Sequence, residues 1–157
     1  MTEAPLKVEA ILKNAGVEYE LFKFSKPVFT VAESQAETGL RSEQILKSML
    51  LVDRLNNFTL FCLPGDKKID SKKAKAAAGF VNSPRFATPQ EVQKVLNQQV
   101  GAVTALLSAG KVPIIFDAGI KAQSKVSLSA GVHYFEVILK TKDLITLLEP
   151  RFVSIVQ

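Results

Sequence analysis

Lys47 stands in EQILKSMLLV, Glu43 to Val52, among Ile45, Leu46, Met49, Leu50, Leu51 and Val52. The apolar residues read as a buried element, and a lysine is rarely buried unless something pairs with it. Its stem can cross an apolar wall and release the ammonium to water, or the ammonium can face a polar ligand. Three other stretches carry candidate groups. Gly101, in QQVGAVTA, suits a turn that needs positive φ. Phe29, in PVFT, reads first as a core residue. GDKKIDSKKAKAAAGF gathers Lys67, Lys68, Lys72, Lys73 and Lys75; this is either a solvated helix face or a phosphate-contacting patch.

Several chemistries find no residues to carry them. His133 is the one histidine, with no cysteine or carboxylate at metal-ligand spacing, so no metal site is expected. It reads as an ordinary polar residue at a strand start. No GxxxxGK[ST] or GxGxxG run points to a nucleotide cofactor, and no cofactor is expected. No GxSxG elbow is present, and a Ser-His-Asp triad would need His133. Cys62, the single cysteine, lies in TLFCL and reads as a small buried core thiol.

The elements that must position these groups fit one unit over residues 1–157, long enough for a proper core. Hydrophobic residues make up 47% of the chain, and the mean hydropathy is +0.17. This is a globular composition. No apolar run approaches the roughly 20 residues of a membrane helix, and MTEAPLKVEA lacks the pattern of a signal peptide. A cytoplasmic protein is the expectation. The net charge of +5 fits a polyanionic partner.

Helices are expected over PLKVEAILKNAG, ended by Gly16, and over TVAESQAETGL, with Thr30 and Glu33 as a capping box and Gly39 as the stop. SKKAKAAAG should start a third at Asp70 or Ser71; TPQEVQKVL has Thr88 as cap and Pro89 at the first position. TKDLITLL should be capped by Thr141. VEYELFKF, the end of RSEQILKSMLLV, NFTLFCLPG, PRFAT, VPIIFDAGIKAQSKVSLSAG, YFEVIL and FVSIV supply strands. VGAVTALLSAGK reads as a loop. Short strands with irregularly placed helices, and a hairpin around DRLNN, favour an α+β fold. The expectation is a mixed, largely antiparallel sheet surrounded by short helices. Residues alone lead no further than a basic α+β domain with a candidate RNA-binding face.

The order of the segments adds to this. YELFKFSKPVFTVAESQAETGLRSEQILKSMLLV, NQQVGAVTALL, VPIIFDAGI and SLSAGVHYFEVILKTKDL together resemble the YbaK family. This is the superfamily of prolyl-tRNA synthetase editing domains, with free-standing members that deacylate mischarged tRNA. The likeness runs from about Leu6 to the C-terminus and is strongest in PVFTVAE and QILKSMLLV. The specificity lies in order and spacing, not in any single motif.

The resemblance implies that Lys47 matches the family's functional lysine, facing a cleft for the 3′ end of an aminoacyl-tRNA. It also implies that Gly101 opens a loop presenting backbone groups to the aminoacyl moiety, with Ala102, Val103 and Thr104 beside it. Ala105 stands where the family has proline. Val28, Phe29, Thr30 and Glu136 would line the same pocket, and Asp117 follows a strand where the family often has an aspartate. The implied activity is hydrolysis, in trans, of the ester of a mischarged tRNA, most of all proline tRNA carrying a small wrong amino acid. Lys67, Lys68, Lys72 and Lys73 would touch the RNA, and an aminoacyl-tRNA synthetase is a further candidate partner. The alternatives are a non-catalytic module that binds a tRNA end or a synthetase, and an enzyme acting on another small acyl ester.

Overall fold

Val8 and Leu12, four residues apart on Glu3–Asn14 (α1), are both fully buried, as one face of a helix requires. The computed structural model describes residues 3–157; the first two positions of the expected unit lie outside them. Tyr19–Lys23 (β1), Val31–Thr38 (α2), Leu46–Val52 (β2), Phe58–Pro64 (β3) and Ser71–Ala78 (α3) follow. Then come Arg85–Phe86 (β4), Pro89–Leu96 (α4), Ile114–Asp117 (β5), Lys125–Val132 (β6), Phe135–Lys140 (β7), Thr141–Leu148 (α5) and Arg151–Val153 (β8).

The strands form two sheets. One is antiparallel, in the order β1-β7-β6; the other runs β4-β2-β3-β5-β8, antiparallel among β4, β2 and β3 and parallel among β3, β5 and β8. The fold is thus α+β, mixed and largely antiparallel as expected, but split where a single sheet was expected. A short helical turn, Ser42–Gln44, brings Ile45 against Ser127, and one isolated parallel bridge between them joins the sheets.

Alternation makes the larger sheet two-faced. Leu46, Leu50, Leu60, Cys62 and Phe116 join the main core with α1, α4 and the β6–β7 pair. Leu51, Phe61, Leu63 and Ile115 point the other way, onto Ala74 and Ala77 of α3. Strands buried on both faces read as continuous apolar runs, which TLFCL does. Burial pushes the Cys62 thiol up to about 12, so it stays an uncharged core group.

Most helix starts follow the expected caps. Thr30 Oγ1 accepts from Glu33 N at 3.1 Å, but the expected box is not completed, because the Glu33 carboxylate accepts from Phe29 N at 3.3 Å rather than from Thr30 N; Asp70 accepts from the Lys72 and Lys73 amides, and Thr88 and Glu91 form a reciprocal box. Thr141 does not cap α5. It is the first helical residue, Lys140 takes the extended cap position, and the buried Thr141 hydroxyl has no partner. Strand β7 runs straight into α5, so the extended residue falls one place earlier and Thr141 packs inward. VGAVTALLSAGK contains a short helical turn at Ala105–Leu107, and another at Ala118–Ala122 breaks the long strand expected before β6.

Candidate functional site

A cavity of about 390 Å³ opens where the two sheets meet. Its walls come from the loop before α2, from β2, from the loop after α4 and from the β6–β7 turn. One wall is an uncovered strand edge. Strand β4 pairs only with Leu51 and Val52, leaving the first part of β2 open on that side. Ala87 N donates to Leu50 O at 2.9 Å, so Leu50 aims its polar groups at that edge. Backbone direction alternates in antiparallel strands, so the N–H and C=O of Ser48 face the same edge.

Lys47 stands at the rim, half-buried, with Nζ donating to Gly65 O at 3.2 Å. Burial holds its ammonium below the ordinary lysine range; Asp66 opposes that shift and Lys68 adds to it. Gly65 is packed too closely for a side chain. A Cβ there would come within 2.6 Å of Ile45 O and 2.8 Å of Ser42 O, so the acceptor of Lys47 is fixed by backbone packing.

Glu136 lines the cavity from β7 and is buried. Ser34 Oγ, from α2, donates to its carboxylate at 2.8 Å. Burial raises the Glu136 pKa, and the Ser34 hydrogen bond only partly offsets this.

The loop after α4 presents Gly101 to the cavity at φ +84, the left-handed region where glycine is favoured. A Cβ there would stand 3.1 Å from His133 Cε1. Behind Gly101 the loop is tied down by polar side chains. Gln98 Oε1 accepts from Thr104 N at 2.8 Å, Gln98 Nε2 donates to Ser108 Oγ at 2.9 Å, and Ser108 Oγ donates to Thr104 O at 2.8 Å.

The cavity brings together Lys47, Gly101, Val28, Phe29, Thr30, Val103 and Glu136, residues far apart in the chain. Ala102 and Thr104 are buried behind the wall and do not line it. Ala102 O instead accepts from Ser129 Oγ at 3.0 Å. Asp117 serves a turn: its carboxylate accepts from Gly119 N at 2.9 Å and Ile155 N at 3.0 Å.

Phe29 is not a core residue. It is 65% exposed, and its ring centroid lies 4.4 Å from that of His133. His133 is a cavity residue that sequence reasoning missed, as is Ser34. His133 Nδ1 lies 3.1 Å from Val28 O; a carbonyl only accepts, so Nδ1 carries a proton, and Nε2 is an acceptor in the neutral form of the ring. The signal available was its place two residues before the strand that carries Glu136.

The four lysines expected to touch RNA lie outside the cavity. Lys67 pairs with Asp66 at 3.9 Å, Lys73 Nζ donates to Val156 O at 2.9 Å, Lys72 is exposed on α3, and Lys68 lines a neighbouring groove. Among the described residues no group of three or more His, Cys, Asp or Glu is placed to hold a metal ion, and no helix is long and apolar enough to cross a membrane. The cavity offers one ammonium donor, one imidazole acceptor, a buried carboxyl group and a strand edge, which suits it to holding a small polar acyl group.

Residues 25–147 match the family model described as aminoacyl-tRNA editing domain. The chain is similar to the uncharacterized protein YwhH of Bacillus subtilis (strain 168), 25% identical over 127 residues, which are 81% of this chain and 80% of that one. Its fold is that of the hypothetical protein APE2540, with a TM-score of 0.87, 24% identity and coverage of 96% and 99% of the two chains. It is equally that of a proposed trans-editing enzyme for prolyl tRNA synthetase, with a TM-score of 0.86, 21% identity and coverage of 100% and 99%.

Proposed function

Because this chain belongs to the aminoacyl-tRNA editing domain family, we propose that it hydrolyses, in trans, the ester joining a wrong amino acid to the 3′ adenosine of a tRNA. The observation that carries this reading is the single cavity that gathers Lys47, Gly101, Val28 and Glu136 from four separate segments.

The reaction needs little covalent help. Water oxygen adds to the ester carbonyl, the bond to the ribose oxygen breaks, and the amino acid leaves as a carboxylic acid while the ribose regains its hydroxyl. The ester is labile by nature, so orientation and charge stabilisation can supply the catalysis. The nucleophile is water, positioned by the substrate's own ribose hydroxyl or by the cavity wall. Lys47 holds a terminal phosphate or the carbonyl oxygen. The backbone around Gly101 holds the amino-acid end, while Val28, Phe29, Thr30 and Val103 limit its size.

Such a second site has a physical purpose. An apolar synthetase pocket separates side chains that differ by one methylene by only about 1–3 kcal/mol. Alanyl- and cysteinyl-tRNA for proline head the substrates to be tried. Lys68 and Lys72 supply positive charge toward the RNA body, and with them binding becomes salt-dependent.

The test is deacylation of a panel of misacylated tRNAs by wild type and Lys47→Ala. Wild type should release one size class of amino acid, and the variant should lose about 10²–10³ in kcat/KM while keeping its fold. Salt-dependent binding without release across the panel would transfer the reading to a non-catalytic module for a tRNA end or a synthetase. Turnover of small acyl esters that ignores salt and the RNA body would transfer it to another esterase.

A further inference from the structure

Along β2, Lys47, Met49 and Leu51 share the face turned away from the main core, by alternation. They line a groove of about 370 Å³ together with Lys68 and with Arg85 and Phe86 of β4. Groove and cavity share Lys47 and Met49 as lining residues, so the two adjoin along the strand.

Each side of the groove has a distinct chemistry. Phe86 pairs with Leu51 in register, yet its side chain is 62% exposed. Arg85 is held by Glu91 through two contacts, at 2.7 and 3.0 Å, so its charge is largely answered. Lys68 has no carboxylate at ion-pair distance among the described residues. The groove therefore offers one flat, accessible ring and one unanswered cation, with a second ammonium, Lys47, where it meets the cavity.

Lys47 and Leu51 are four residues apart, about 13 Å along an extended strand, which is the reach of a dinucleotide backbone. A base can stack on an exposed aromatic ring whatever its identity, and a phosphate can sit on a nearby lysine. We propose that this groove takes the single-stranded nucleotides preceding the terminal adenosine of the RNA, one base stacking on Phe86 and one phosphate on Lys68. The proposal rests on the editing reading above, since that reading places the terminal adenosine beside Lys47.

The experiment compares two substrates carrying the same amino acid: a full aminoacyl-tRNA and an aminoacyl-adenosine ester that lacks the preceding nucleotides. Phe86→Ala should lower kcat/KM on the tRNA about tenfold, within the range for a lost base stack, and leave the adenosine ester unchanged. Phe86→Tyr should behave as wild type. Lys68→Ala should weaken the tRNA reaction and flatten its salt dependence. Equal loss on both substrates, or no loss on either, overturns the proposal.

Direct binding separates this proposal from the reading it rests on. Fluorescence anisotropy of a short single-stranded RNA ending in CCA should show about tenfold weaker binding to Phe86→Ala. That result upholds the groove even if wild type turns over no ester. Unchanged affinity, or displacement of the RNA by an acidic peptide at equal concentration, overturns it.

Discussion

Val28 and His133 hold each other by two hydrogen bonds across 105 positions of sequence: Val28 N donates to His133 O at 2.9 Å, and His133 Nδ1 donates to Val28 O at 3.1 Å. The pair fixes the ring at the cavity mouth, with the Phe29 ring tilted against it by 38° and Gly101 beneath its edge. An imidazole bonded at Nδ1 to a carbonyl cannot rotate freely.

Gly101→Ala should be destabilising for two separable reasons. The left-handed backbone costs a side chain about 1–2 kcal/mol, and the new Cβ would press on His133 Cε1 at 3.1 Å. A drop in Tm of about 2–8 °C is expected. Combining it with His133→Ala should restore only the contact part. Calorimetry on both singles and the double variant checks this; full recovery in the double would show that the backbone carries no strain.

Lys47→Met should lower kcat/KM about as much as Lys47→Ala does, without lowering Tm. The native lysine is charged in a site where burial depresses its pKa, so the folded state bears a penalty for that charge. The sign follows from linkage. With the folded pKa below the unfolded one, wild-type stability rises as pH climbs through the depressed value, and the advantage of the methionine shrinks there. Thermal melts from neutral to alkaline pH, beside deacylation assays, test both halves. A methionine variant that melts well below wild type at neutral pH refutes this account.

Glu136→Gln should stabilise at neutral pH more than under acid conditions. Burial raises the native pKa above the ordinary value of 4.5, against the Ser34 hydrogen bond. The unfolded carboxyl then ionises first, so wild-type stability falls as pH rises from the unfolded value through the native one. Glutamine does not ionise and escapes that loss. Urea midpoints of the two proteins should converge below the ordinary glutamate pKa; a constant gap at every pH counts against the buried acid.

Ala105→Pro tests the loop position where the resemblance implies a proline. Ala105 is the first residue of a short helical turn, a position where proline fits. Thr104 before it is already extended, at φ −125 and ψ 138, as the residue before a proline must be. The gain should be about 0.4–1 kcal/mol, seen as a Tm rise of about 1–4 °C. A lower Tm would mean that the packing around the buried alanine leaves no room for the ring.

Local features were legible in the chain. Thr30 with Glu33 and Thr88 with Glu91 mark helix starts through contacts three residues apart, and apolar runs such as TLFCL mark strands buried on both faces. Lys47 stood out because a cation within an apolar run is costly unless something meets it. The loop residues were harder. Gly101 and Val103 line the cavity while Ala102 and Thr104 are buried behind it, Thr104 held by Gln98 and Ser108 and Ala102 by Ser129.

What the sequence alone determined is most of the elements, the helix caps at Thr30, Asp70 and Thr88 and the oddity of Lys47, because each depends on neighbours within a few positions. The division into two sheets, the open edge at Ser48, the exposure of Phe29 and the recruitment of His133 were decided only by the tertiary structure. They depend on which distant strands pair and where that pairing stops. No local pattern records that His133 meets Val28, because the hydrogen bonds that join them exist only once β7 has closed against β1 and β6.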